Sequence, residues 1–425
     1  MLKVCMVFNP RVLSKVMLVV SLVWFVPGKA EAYGVLTHQA IIDVSWEKSL
    51  VPVLKRKFPK ATEEELREAH AHAYGGAIIQ DMGYYPFGNV FFTDLTHYVR
   101  SGDFINALLS EAQNLNEYAF GLGALAHYYA DNYGHPIGTN RAVPMMYPET
   151  KAQHGNSVSY EEDPVAHIKM EFGFDVLQVA RGNYASQQYR DFIGFEVSTE
   201  SLERAFKKTY GLELKSLFVN LGLTVGSFRY SVSTLFPNLT KAAWNLKSDD
   251  IRKAIPSATK QKFIYRIKKT EYHKQFGREY QKPNFFQRVL SWILGILPKF
   301  GPNKALAFKP PSPQAEKVFM ESFNVTIEKY ALGLTTLSKD SITLKNTALD
   351  TGDATKNGTY KKADETYAEL LKRLVKEQPS EVPAQLRRNI LSFYNGAKAP
   401  KMEDKEDAKD WEKTLENLEK FKAGK

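Results

Sequence analysis

The stretch at residues 120–136, FGLGALAHYYADNYGHP, constrains what this chain can fold into more than any other. His127 and Asp131 are four residues apart, and His135 follows after four more. Residues four apart on a helix share a face, with Cβ atoms about 5–6 Å apart. Leu122 and Leu125 suit the packed part of such a helix. Pro136 pushes the residue before it out of the α region, so the helix is expected to end at His135. Two imidazoles and a carboxylate on one face make either an exposed polar stripe or a metal site. This stretch alone leaves both readings open.

The histidines around it narrow the choice. The chain has nine, and all but His273 lie between His38 and His167. Histidine is the commonest metal ligand. His38 stands just ahead of an apolar run, and His97 follows Asp94 by three. His167 and Glu171 are again four apart, on a helix expected to start at Asp163-Pro164, with proline in its first turn. Asp81 closes a helical pattern over 63–80 and opens an aromatic, glycine-rich loop. His70 and His72 are two apart and so face different ways; they are expected to be solvated or at the core edge. His154 falls in a polar excursion over 137–163 and is expected to be exposed.

The one cysteine, Cys5, lies in the first thirty-two residues. That segment has a basic start (Lys3, Arg11, Lys15), an apolar run at 16–26, and a small-x-small motif at Ala30-Glu31-Ala32. It reads as a secretory signal peptide cut before Tyr33, so the protein is expected to be secreted or periplasmic. The mature chain would then have no disulfide and no thiolate ligand, and any metal would be held by His, Asp and Glu. A free amine at Tyr33, with an ordinary pKa near 8, could join them. The chain carries 57 Lys and Arg against 47 Asp and Glu, a balance that favours anionic surfaces without choosing among them. Walker, GxSxG and cysteine-based catalytic motifs are absent from the sequence.

Taken in order, the N-terminal aromatic, His38, Asp81, His97, the His127/Asp131 pair, His135 and the His167/Glu171 pair resemble the zinc-dependent phospholipase C family, and more distantly the S1/P1-type nucleases. The resemblance covers roughly residues 33–180. It implies an all-α helical bundle with a cluster of up to three zinc ions. One ion would take Asp81, His97, His127 and Asp131. A second would take His135, His167 and Glu171. A third would take the amine and carbonyl of Tyr33 with His38 and the shared Asp131. Asp81, with an oxygen to spare, would be the catalytic residue that orients or deprotonates water, and zinc would generate hydroxide at neutral pH. The implied substrate is a phospholipid or another phosphodiester. The alternatives are a zinc nuclease acting on nucleic acid, or a metal-stabilised binding protein without turnover.

The expected division is a signal peptide at 1–32, a phospholipase C-like domain at 33–245, and a basic, mainly helical C-terminal region at 246–425. An apolar stretch at 285–297, too short to span a bilayer, is either a core helix or a peripheral membrane contact. Residues 338–360 are rich in Thr, Gly and Asn and read as a long loop. Trp411, Leu415, Leu418 and Phe421 mark a final helix that packs on another element.

Overall fold

The fold is built round one helix that is buried on nearly every side. The computed structural model describes residues 33–258, 307–339, 342–378, 382–396 and 405–423. Residues 1–32, read as a signal peptide, and the apolar stretch at 285–297 lie outside the described residues. In chain order the helices are α1 (Val35–Ser45), α2 (Val51–Lys57), α3 (Glu63–Gly76), α4 (Val90–Tyr98), α5 (Ser101–Glu111), α6 (Leu115–Tyr133), α7 (Asn140–Met146), α8 (Pro148–His154) and α9 (Pro164–Arg181). They continue with α10 (Gln187–Ile193), α11 (Thr199–Tyr210), α12 (Leu221–Tyr230), α13 (Phe236–Ala254), α14 (Pro313–Lys339), α15 (Lys361–Glu377), α16 (Ala384–Phe393) and α17 (Lys405–Lys422). Among the described residues, the strands are two short ones, β1 (Thr347–Ala348) and β2 (Asp353–Ala354), paired antiparallel. The protein is all-α, as expected.

The central helix is α6. Asn114 caps it by accepting from the Glu117 N–H at 2.9 Å, satisfying one of the donors a helix start leaves unpaired. Its closest neighbour is α3, and two glycines set that crossing. A Cβ on Gly76 would lie 1.9 Å from the Phe120 carbonyl oxygen, and one on Gly123 would lie 2.1 Å from that of Ala73. The two backbones therefore touch where the side chains are missing. The same contact brings the end of α3 against His127.

Three boundaries differ from the sequence reading. The helix over 63–80 stops at Gly76, and Asp81 sits in a separate 3₁₀ segment, Ile79–Tyr84. Gly75-Gly76 is a poor helix interior, because glycine loses the most backbone freedom there. Residues 102–119 read in the sequence as one helix, but it breaks after Glu111, because Asn114 starts a new helix rather than continuing the old one. The excursion at 137–163 contains α7 and α8. His70 is another departure. It is 1% exposed and stacked on Trp46 with ring centroids 3.9 Å apart, so it is a core residue. His72 is half-buried and bonded to Ser198.

The C-terminal helices share the main core with the N-terminal ones. Tyr330, Leu334, Tyr367, Leu371, Ile390 and Leu418 belong to the same buried cluster as Tyr33, Leu54 and Leu125. α14 lies against α6 and α7, and α17 packs on α15. The segment read as a long loop holds the β1–β2 hairpin and is stitched to the core. Thr347 Oγ1 donates to the Asn132 side chain at 2.8 Å, and Tyr128 OH donates to the Lys345 carbonyl at 2.9 Å. No described helix is long and apolar enough to cross a membrane.

Candidate metal centre

α6 ends at Tyr133, and the chain continues as a π-helical turn, Gly134–Thr139, that carries His135. Pro136 accounts for this, since it lacks an N–H and restricts His135. Such wide turns recur at functional sites. α9 begins as the sequence indicates, with Pro164 in its first turn and the Asp163 side chain accepting from the Ala166 N–H at 2.9 Å. One face of α9 then presents His167, Glu171 and Asp175 at successive intervals of four.

These elements gather three groups of donors, all buried: His38 with His127 and Asp131; Asp81 with His97 and His127; and His135 with His167 and Glu171. Asp131 is the hinge of the first two. Its carboxylate lies 3.1 Å from His127 Nε2, 3.3 Å from His97 Nε2 and 3.8 Å from His38 Nε2. Asp81 lies 3.3 Å from His97 Nε2 and 3.8 Å from His127 Nδ1. In the third group His167 Nδ1 is 3.4 Å from Glu171. Ligand atoms about 2.0–2.1 Å from a tetrahedral zinc are about 3.3 Å from one another, so these separations suit shared cations.

The hydrogen bonding supports that fit. Both nitrogens of His38, both oxygens of Asp81 and of Asp131, His135 Nδ1 and His167 Nδ1 are buried without a hydrogen-bond partner. Buried polar atoms are normally paired, and a concentration of unpaired ones points to an ion. The opposite ring nitrogens are fixed instead. His97 Nδ1 meets the Thr93 carbonyl at 2.8 Å, His127 Nδ1 meets that of Ala77 at 2.9 Å, and His167 Nε2 meets that of Val158 at 2.8 Å. Each carbonyl takes an N–H and leaves the other nitrogen's lone pair for the cluster, the arrangement expected of ligating histidines.

The fields are mutual. Burial, then the like charge of His127, holds His38 well below its ordinary value. Burial likewise lowers His167, so both rings are neutral, as a ligand must be. Burial works against ionising Asp131, but His127 and His97 outweigh it and hold the carboxylate well below its usual range. Burial would also lower His97, and there Asp131 and Asp81 win and raise it.

Tyr33 stands beside these groups. It is fully buried, its hydroxyl is 2.7 Å from Ser322 Oγ, and its ring meets His38 edge-on at 6.0 Å. His154 stays outside the cluster, partly exposed beside Glu162. The sequence reading missed two carboxylates. Asp175 caps α1, accepting from the Leu36 and Thr37 N–H groups at 3.0 Å and from Thr37 Oγ1 at 2.6 Å, and so anchors the helix that carries His38. Its spacing of four from Glu171 was a usable signal. Asp350 Oδ1 lies 3.5 Å from His135 Nε2. It sits in an Asp-Thr-Gly-Asp run that reads as a turn, and no local signal marks it.

Helices converging on a buried His/Asp/Glu cluster define a metallohydrolase-type centre. Residues 37–219 match the zinc dependent phospholipase C family. The chain is thus an enzyme of the zinc-dependent phospholipase C type. No curated protein and no solved structure matches it.

Proposed function

We propose that the chain is a secreted or periplasmic phospholipase C that binds three zinc ions and hydrolyses the phosphodiester of a phospholipid head group. The placement of Asp131 carries this reading, since one fully buried carboxylate faces three imidazoles and bonds to none of them. Asp81, His97, His127 and Asp131 would hold one ion, and His135, His167 and Glu171 a second. His38 and Asp131 would hold a third, with the amine and carbonyl of Tyr33. When bound, zinc lowers the pKa of its water from 15.7 to about 7 and offsets the negative charge of a phosphodiester.

The chain's own residues supply the rest. Asp131 fixes the spacing of two positions. Asp81 has both oxygens free of hydrogen bonds, so one can ligate while the other orients water or receives its proton. The basic signal segment and the close packing of Tyr33 against His38 support a mature chain that begins at Tyr33. Mass spectrometry of the exported protein should find Tyr33 first. A mature chain retaining residues ahead of Ala32 would remove the third position as drawn.

The activity test uses purified protein and vesicles of phosphatidylcholine, phosphatidylethanolamine or phosphatidylinositol. The expected products are diacylglycerol and a phosphorylated head group, with single-stranded DNA left intact. Glu171→Gln should lose or weaken one ion and lower hydrolysis by orders of magnitude. DNA cleavage without lipid hydrolysis would replace this reading with the nuclease. Zinc content without turnover on any of these substrates would leave a binding protein.

A further inference from the structure

Asp350 comes from outside the family-matched segment, on the turn between β1 and β2. It is 2% exposed. Its carboxylate is held from one side by two phenols, with Tyr98 OH donating to Oδ2 at 2.9 Å and Tyr360 OH at 2.5 Å. Its backbone carbonyl accepts from Asn140 Nδ2 at 3.0 Å, and the neighbouring Leu349 N–H donates to the His97 carbonyl at 3.1 Å. The turn is thus pinned to the helix that carries His97. What remains of the carboxylate, Oδ1, faces His135 Nε2 at 3.5 Å.

His135 differs from the other histidines of the cluster. His97, His127 and His167 each rest one nitrogen on a backbone carbonyl and turn the other toward the cluster. For His135 the structure shows no such carbonyl among the described residues; its Nδ1 is buried without a hydrogen-bond partner, and its Nε2 looks at Asp350. A buried carboxylate is costly unless it is paired. Here the phenols occupy one oxygen and leave the other for an imidazole N–H.

We propose that Asp350 is the positioning residue of His135. It takes the Nε2–H, fixes the tautomer and leaves Nδ1 for the metal position shared with His167 and Glu171. The metal centre is then composite: the N-terminal domain supplies the ligands, and the C-terminal region supplies the carboxylate that orients one of them. This rests on the reading of His135, His167 and Glu171 as a metal position.

The test compares full-length, zinc-loaded Asp350→Asn with the parent and with Asp353→Asn, a change at an exposed carboxylate on the same hairpin. Zinc content and the rate of zinc transfer to a chromogenic chelator are measured, with the pH profile of hydrolysis. Loss of an outer carboxylate partner weakens a metal by about 10–100-fold. Asp350→Asn should therefore bind one ion 10–100-fold more weakly and retain the others, and Asp353→Asn should match the parent. If Asp350→Asn fails to fold, Tyr360→Phe releases one anchor of the carboxylate and should weaken the same ion by a smaller factor.

Parental affinity and an unchanged pH profile, in Asp350→Asn or in Tyr360→Phe where the former does not fold, would reduce Asp350 to a loop anchor and overturn the proposal. An ion missing even at saturating zinc would make Asp350 a direct ligand and overturn the positioning role. Glu171→Gln separates the two levels. If it keeps every ion, the underlying metal position fails; if it loses one and Asp350→Asn loses none, only the Asp350 proposal fails.

Discussion

Replacing Asp131 by asparagine is the sharpest probe of the cluster, because the change is nearly isosteric and removes only charge and one ligating oxygen. Asp131 faces His38, His97 and His127 within 3.1–3.8 Å. An amide nitrogen cannot bind a cation, so at most one of the two contacts proposed for this side chain survives. Removing an outer partner of a ligand costs about 10–100-fold in metal affinity. Removing a shared ligand should exceed that, so at least about a 100-fold loss is expected for one ion.

Thermal stability reads the same loss independently. Zinc at a thousand times its Kd stabilises the fold by about 4 kcal/mol. At about 2.1 cal/mol/K per residue, a chain of roughly 400 residues should gain about 5 °C in Tm. Elemental analysis of Asp131→Asn should show one or two ions fewer than the parent. Its zinc-dependent rise in Tm should shrink, and its hydrolysis of a chromogenic phosphodiester should fall by orders of magnitude. Full zinc content with parental activity would refute the bridging role and, with it, the cluster as drawn.

Other outcomes follow from single contacts. Gly34→Ala would place a Cβ 2.2 Å from Asp175 Oδ2, so it should dislodge the cap of α1 and lower stability by about 1–3 kcal/mol, read by denaturant melts. Burial pushes the Asp175 carboxyl up to about 6, against its hydrogen bonds to Thr37 and Leu36. The folded state thus binds the proton more tightly than the unfolded one, and this stabilisation is full below pH about 4 and lost as pH rises through about 6. Asp175→Asn, which cannot titrate, should gain on the order of 3 kcal/mol relative to the parent between pH 4 and 7, measured by melts at each pH; a flat difference would contradict the assignment. His70→Ala should act on stability rather than on zinc, because His70 is stacked on Trp46 and lies 3.2 Å from Asp43. A loss of about 2–4 kcal/mol with full zinc content in the folded fraction is expected by melts and elemental analysis.

Two of the candidate donor pairs were legible because helical periodicity is local. His127 with Asp131, and His167 with Glu171, needed only a spacing of four to reach one face. Asp81, His97 and His38 could be placed only through the order they share with a known family; nothing in their immediate neighbours fixes where they point. Element ends were less legible. Gly75-Gly76 and Asn114 interrupt apolar patterns that look continuous, and a pattern does not say which of two competing signals wins.

What the sequence determined by itself was the chemistry available: a helix with donors on one face, a His-rich segment without usable cysteine, and carboxylates to match. What only the tertiary structure decided was which groups meet across long separations. His70 reads as solvated or at the core edge, and packing against Trp46 makes it a core residue. Asp350 looked like part of a loop until Tyr98, Tyr360 and the β1–β2 turn held it against His135, more than two hundred residues away. Periodicity carries information over one or two turns of helix. A buried carboxylate and the imidazole it orients are brought together by packing, and packing leaves no trace in the spacing of either.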